Sequence, residues 1–176
     1  LIAPIQQLEE YLNSIDLTKL ERNKRGDYII NLVYHVLHNY GSENISDQQI
    51  FFFFLALNEN YNKQNVDSID VVPAFQNLIA NVGFEFKLAN RDPEGNCTNG
   101  IDRINTYKTY FANDQSKLNQ WNRSVYFNIW VAHTLENVQA AAYAYKPPTA
   151  HNMFWYDGVI SRHNYIGSMG TSQPNY

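Results

Sequence analysis

Eleven consecutive residues, Tyr28-Ile29-Ile30-Asn31-Leu32-Val33-Tyr34-His35-Val36-Leu37-His38, are apolar or aromatic at all but a few positions. Apolar residues fall at both odd and even places, so a strand made of them has no polar face and needs cover above and below. That predicts the central strand of a layered α/β sheet. The chain can supply the cover. It has 176 residues, 44% of them hydrophobic and 15% aromatic, enough for one domain or one large lobe. Only 17% are charged and the net charge is -4, with Arg22-Asn23-Lys24-Arg25 the densest basic stretch. Nucleic acid is therefore not an expected partner. The longest apolar run, Ile50 to Leu57, is far short of the roughly 20 residues that span a bilayer, so no membrane span is expected. A lone Cys97 makes no internal disulfide.

Ahead of the long strand, residues 1–27 read as an N-terminal helical leader. Ile5, Leu8, Leu12, Ile15 and Leu20 recur at roughly helical spacing, and the basic cluster with Gly26 ends the pattern. After it, Ser46 stands three residues before Gln49, a capping-box signature for a helix running to about Lys63. Phe51 to Phe54 fill a full helical turn, so at least one must face away from the sheet. Gly83 to Ala89 alternates as a strand, Ile101 to Tyr110 reads as extended, and Asn113 to Trp121 as a short capped helix. Tyr126 to Ala132 is a second buried strand, and Tyr156 to Ile160 begins a last short one. Between them Ala140 to Tyr145 alternates small and aromatic residues until Lys146-Pro147-Pro148 stops it, which suits an edge strand. From Gly167 the chain reads as a loop running on to Tyr176. The pattern predicts a mixed sheet with one face under the Ser46 helix and the other face uncovered.

Chemistry-bearing residues are present without a self-contained site. His35 and His38 are three apart, so on one strand they point to opposite faces and cannot clamp a single metal ion. His133-Thr134-Leu135-Glu136 lacks the second histidine of His-Glu-x-x-His, and His151 and His163 have no third ligand to join them. Cys97 sits in an Asn/Gly turn without a base, and Asp92, Glu94 and Asp102 are too few oxygens for a calcium loop. No metal ligand and no catalytic residue is assigned.

Three stretches nevertheless resemble the pappalysin family of metzincin zinc metallopeptidases. They are Val33-Tyr34-His35-Val36-Leu37-His38 with Ile45-Ser46-Asp47-Gln48-Gln49-Ile50 and Leu57-Asn58-Glu59-Asn60-Tyr61; then Phe84-Glu85-Phe86-Lys87-Leu88-Ala89 with Asp92-Pro93-Glu94-Gly95-Asn96-Cys97-Thr98-Asn99-Gly100-Ile101; then Leu118-Asn119-Gln120-Trp121, Phe127-Asn128-Ile129-Trp130-Val131, Ala142-Tyr143-Ala144-Tyr145-Lys146-Pro147-Pro148 and Asp157-Gly158-Val159-Ile160. The resemblance covers residues 28–176. It implies a metzincin-like N-terminal subdomain: a mixed, twisted five-stranded sheet, a backing helix and an antiparallel edge strand. In that family a His-Glu-x-x-His-x-x-Gly-x-x-His helix follows shortly after the Asp-Gly-Val-Ile strand, and no residue here matches it. Zinc is thus expected in the full-length protein only, and the missing helix is expected on the uncovered sheet face. The family's upper-rim strand pairs with extended substrate, and the matching residues are Ala141, Ala142, Tyr143, Ala144 and Tyr145.

The resemblance therefore implies the N-terminal lobe of a secreted bacterial metalloendopeptidase, inactive alone, acting with a missing C-terminal half on peptide or protein substrates. The alternative is a non-catalytic protein-binding or assembly subunit of a larger surface or secretion complex, at which the Phe run would be the contact.

Overall fold

The computed structural model describes residues 2–172. Residues 173–176 lie outside the described residues, so the loop expected to reach Tyr176 is followed as far as Ser172. Strand β1 (Tyr28–His38) occupies the whole apolar run, and its last seven residues are buried. It is paired on both sides. Strands β2 (Phe84–Leu88) and β3 (Ile101–Asn105) lie parallel to its first and second halves. Ala89 donates to Leu32 O and Tyr34 donates to Gly100 O, so one short strand hands β1 to the next. Strand β4 (Tyr126–Ala132) runs parallel on the other side. Beyond it come β6 (Val159–Arg162), parallel, and β5 (Ala142–Tyr143), antiparallel to β6 at the edge. The order is β2-β1-β4-β6-β5, with β3 beside β1. The mixed α/β sheet matches expectation; it has six strands rather than five because two short strands share one side of β1.

Helix α2 (Asp47–Tyr61) covers the face bearing Leu32, Tyr34, Val36, Ile129 and Val131. Ser46 Oγ accepts from Gln49 N at 3.1 Å, as a cap should. The other half of the capping box does not form. Gln49 Nε2 donates instead to His163 O (3.1 Å) and Ile166 O (2.8 Å), and its Oε1 accepts from Thr171 N (3.1 Å). The start of α2 therefore holds the loop that follows β6. Phe53 and Phe54 pack on the core, while Phe51 and Phe52 are 47% and 42% exposed, the division four residues of one turn impose.

The opposite face, expected to lie bare, is covered by the chain itself. Leu37, Trp130, Ala132 and Ile160 pack there with Ala112 and Leu135. Segments 106–121 and 133–140 form this layer, and Thr109 Oγ1 and Trp130 Nε1 tie it to Leu37 O and Leu118 O, both at 2.8 Å. The layer consists of turns with no apolar period, so no periodic signal announces it. Open apolar surface is present on the α2 side, where Phe127 is paired with Leu32 and 42% exposed.

Other boundaries move for local reasons. Helix α1 (Ile2–Ser14) stops before Asp16, whose carboxylate takes Thr18 N and starts a separate 3-10 turn at Leu17–Lys19. The helix expected over 113–121 is only a 3-10 turn, Asp114–Ser116, capped by Asn113. Pro147 opens a short helix α3 (Pro147–Asn152), and a 3-10 turn precedes β6. Gly158, at φ +95°, turns the chain into β6; a Cβ there would meet Trp130 and the Asn128 carbonyl below 3 Å.

One buried polar network locks β1 to its neighbours. His35 Nδ1 lies 2.9 Å from Asp102 Oδ2 on β3, and Nε2 2.9 Å from Asn128 Oδ1 on β4. Asn128 also exchanges two 2.9 Å bonds with the backbone of Trp121. Replacing Asn128 with Ala leaves His35 Nε2 and both Trp121 groups without partners, and is expected to lower the unfolding free energy by about 3 kcal/mol in urea titration.

Candidate functional site

The two edges of the sheet are treated differently. At β2 the outward-facing backbone is sealed by α2. Asn58 Oδ1 accepts from Phe86 N (2.9 Å) and its Nδ2 donates to Phe86 O (3.1 Å); Asn62 Nδ2 donates to Phe84 O (3.0 Å). Covering an edge in this way prevents another strand from adding there.

No such cover is found along β5 among the described residues. Arg162 N donates to Ala141 O at 2.9 Å, and Ala142 and Tyr143 stand opposite Ser161 and Ile160. Antiparallel alternation then points the backbone N–H and C=O of Ala142 away from β6, and those of Ala144 after it. All five residues expected to bind substrate, Ala141, Ala142, Tyr143, Ala144 and Tyr145, line this edge, although only Ala142–Tyr143 form ladder pairs. A groove of about 360 Å³ runs beside it, lined by Leu8, Tyr11, Phe127, Tyr145 and His151 among others. The Tyr11 and His151 rings are 4.8 Å apart, so α1 sits against α3 at this groove.

Behind the strand lies a cluster with no signal in the linear sequence. Tyr143 OH and Tyr145 OH donate to the two oxygens of Asp114 at 3.3 and 2.7 Å. Lys117 Nζ lies 3.3 Å from the same carboxylate and donates to Tyr156 O at 2.6 Å. Burial pulls the Lys117 ammonium below its ordinary range and Asp114 opposes the pull. Burial, then Asp114, raises the Tyr143 phenol; the hydrogen bond to Asp114 pushes Tyr145 up to about 12. Asp114-Gln115-Ser116-Lys117 reads as a solvated turn, and only the tertiary fold brings it under two tyrosines.

The remaining candidates stay apart. Asp92 closes its own turn by accepting from Glu94 N and Asn96 N, Asp102 is taken by His35, and Cys97 is a free, exposed thiol. Among the described residues no three His, Cys, Asp or Glu converge on a possible metal ion, so these residues do not fit a zinc site and no step runs through one. A separate cluster forms at the C-terminal ends of β1, β4 and β6. Buried Glu43 accepts from Asn39 N (2.7 Å) and Gly41 N (3.2 Å), and the His133 and His163 rings are 5.4 Å apart. Burial would raise the Glu43 carboxyl, but backbone donors at Asn39, Glu43 and Gly41, with His133, hold it below its ordinary value. Burial, then His133, lowers the His163 imidazole.

Both depressions favour the fold above each group's unfolded pKa, and the gain is lost as pH falls through the folded value. Glu43→Gln is expected to flatten the loss of stability below about pH 4.3, and His163→Gln the loss below about pH 6.5. Thermal unfolding followed across the acid and neutral range reads both.

No protein-family model and no curated protein matches this chain. Solved structures do. Mature mirolysin from Tannerella forsythia, in complex with a cleaved peptide, is 37% identical with a TM-score of 0.78 over 84% of this chain and 57% of its own. Mirolysin in complex with compound 9 is 36% identical, with a TM-score of 0.75 over the same shares. A promirolysin mutant from Tannerella forsythia is 33% identical, with a TM-score of 0.81 over 99% of this chain and 57% of its own. The chain thus spans a little over half the length of the structures it matches. Identity of a third or more, with TM-scores of 0.75 to 0.81, supports the metallopeptidase superfamily for this chain.

Proposed function

We propose that the chain is the N-terminal lobe of a secreted bacterial zinc metalloendopeptidase of pappalysin type. It forms the upper rim of the substrate cleft, where an extended peptide adds a strand along Ala141–Tyr145. Zinc and the general base come from sequence outside these 176 residues. The lobe alone hydrolyses nothing. One observation carries this reading: the β2 edge is sealed by asparagine side chains, whereas the β5 edge presents Ala142 backbone groups beside a groove. Backbone pairing at an open edge binds extended chain with little regard to side chains, as an endopeptidase requires. The mirolysin structure that holds a cleaved peptide supports the same direction.

Residues 1–27 act as a leader ahead of the mature lobe at 28–176. Support comes from the coverage of this chain, 84% by mature mirolysin against 99% by promirolysin. Lys24 and Arg25 are exposed, and α1 meets the lobe at α3. Brief trypsin treatment is expected to cut at Lys24 or Arg25 and leave a folded core beginning near Gly26. A core that unfolds on cutting contradicts the division.

The exposed Phe51, Phe52, Val66 and Leu78 favour a protein contact on the α2 side. That contact is the rest of the peptidase in the first reading, and a partner subunit in the alternative of an assembly module. The coding sequence after Tyr176 separates them: an in-frame His-Glu-x-x-His within a few dozen residues supports the enzyme, and a stop codon supports the module. The extended protein is expected to bind one zinc and cleave peptides. Ala142→Pro, which removes an edge donor, should raise KM by roughly tenfold with zinc content unchanged.

A further inference from the structure

We propose that Lys117 is a positioning residue for strand β5, acting from behind it through Asp114 and a box of aromatic rings without touching the peptide. The inference rests on reading β5 as the peptide-binding edge. It starts from a mechanical difficulty. The β5–β6 ladder has two residue pairs, and Pro147-Pro148 soon follow with no N–H to extend it. Two pairs do not hold a strand firmly by themselves, yet an edge that receives a peptide must be in place beforehand, or part of the binding energy goes into ordering it.

The side chains supply the missing hold. Tyr143 and Tyr145 are two apart, so their rings leave the strand on one face, and both hydroxyls end on Asp114. Asp114 opens the turn that Asn113 caps, and Asn113 Nδ2 is bonded in its turn to Glu136, so this anchor is itself held. A carboxylate drawn against half-buried Tyr143 favours a counter-charge, and Lys117 provides it one turn on. The Lys117 side chain is 1% exposed. Its ammonium lies 5.4 to 5.7 Å from the ring centres of Trp130, Tyr143 and Tyr145. It also holds Tyr156 O, and the Tyr156 ring stacks on Tyr145 at 4.9 Å. One cation thus links the 114–117 turn, the edge strand and the approach to β6. The free backbone groups of Ala142 lie along the edge, and the clamp fixes them from the buried face.

The test uses the protein extended through its downstream sequence, with a fluorogenic peptide and amide exchange read at Tyr143 and Arg162, the amides that face each other's strand in the β5–β6 ladder. Lys117→Met keeps the buried stem and removes the charge. It is expected to raise KM roughly tenfold with kcat within about twofold, and to speed exchange at these amides while β1 stays protected. Tyr145→Phe, which keeps the ring and loses one bond to Asp114, should raise KM roughly threefold in the same sense. It keeps the test open should Lys117→Met fail to fold. A fall in kcat at unchanged KM, or unchanged exchange at Tyr143 and Arg162 in both variants, overturns the proposal. If the wild-type protein cleaves no peptide, the proposed function falls by itself, and exchange at β5 still judges the clamp.

Discussion

Strand β1 is buried along its second half and has neighbours on both sides, β2 and β3 on one and β4 along Asn31–Val36 on the other, and the rest of the molecule is arranged to satisfy it. Its length exceeds what one short neighbour can match. Two short strands therefore share one flank, with Gly100 permitting the close approach at their junction: a Cβ there would lie 2.8 Å from Ala89 N. Its two apolar faces demand two layers, which the chain builds from unlike materials. One is a helix started by Ser46. The other is a set of turns pinned by single buried hydrogen bonds. The His35–Asp102–Asn128 network then fixes the lateral register that apolar contacts alone leave loose.

The functional asymmetry grows out of that frame. A sheet has two edges, and each is a row of unpaired backbone groups. Here Asn58 of α2 and Asn62 just after it close one, while the other ends in a very short antiparallel strand braced from the face that carries Tyr143 and Tyr145. In the proposed role this brace matters more than the ladder. The peptide meets a strand held at the depth set by Asp114, Lys117 and their rings, and the groove beside it is the place where α1 rests in this chain.

Strands β1 and β4 are legible because their residues form contiguous apolar runs, and the edge strand because its alternation stops at Pro147. Side-chain partnerships across long separations are not. Gln49 looks like half of a capping box and instead holds residues 163–171. Asn58 and Asn62 look like the polar face of a helix and instead seal a sheet edge. Lys117 looks solvated and is almost fully enclosed. The covering layer over Trp130 escapes notice for the same reason: Ala112 and Leu135 are isolated apolar residues among turns, and no period marks them. The five candidate binding residues follow one another along one edge of the sheet, with Ala142 and Tyr143 in the ladder, whereas the cluster that braces them has no linear signature.

The central claim is that an extended peptide adds to β5 and not to β2. Amide exchange on the extended, metal-stripped protein, with and without a saturating peptide substrate, tests it most directly. The account predicts slowed exchange at Ala142 and Ala144 on peptide addition, with Phe84 and Phe86 unchanged. Protection that appears at β2 or on the exposed phenylalanines of α2, with Ala142 and Ala144 unaffected, would contradict it.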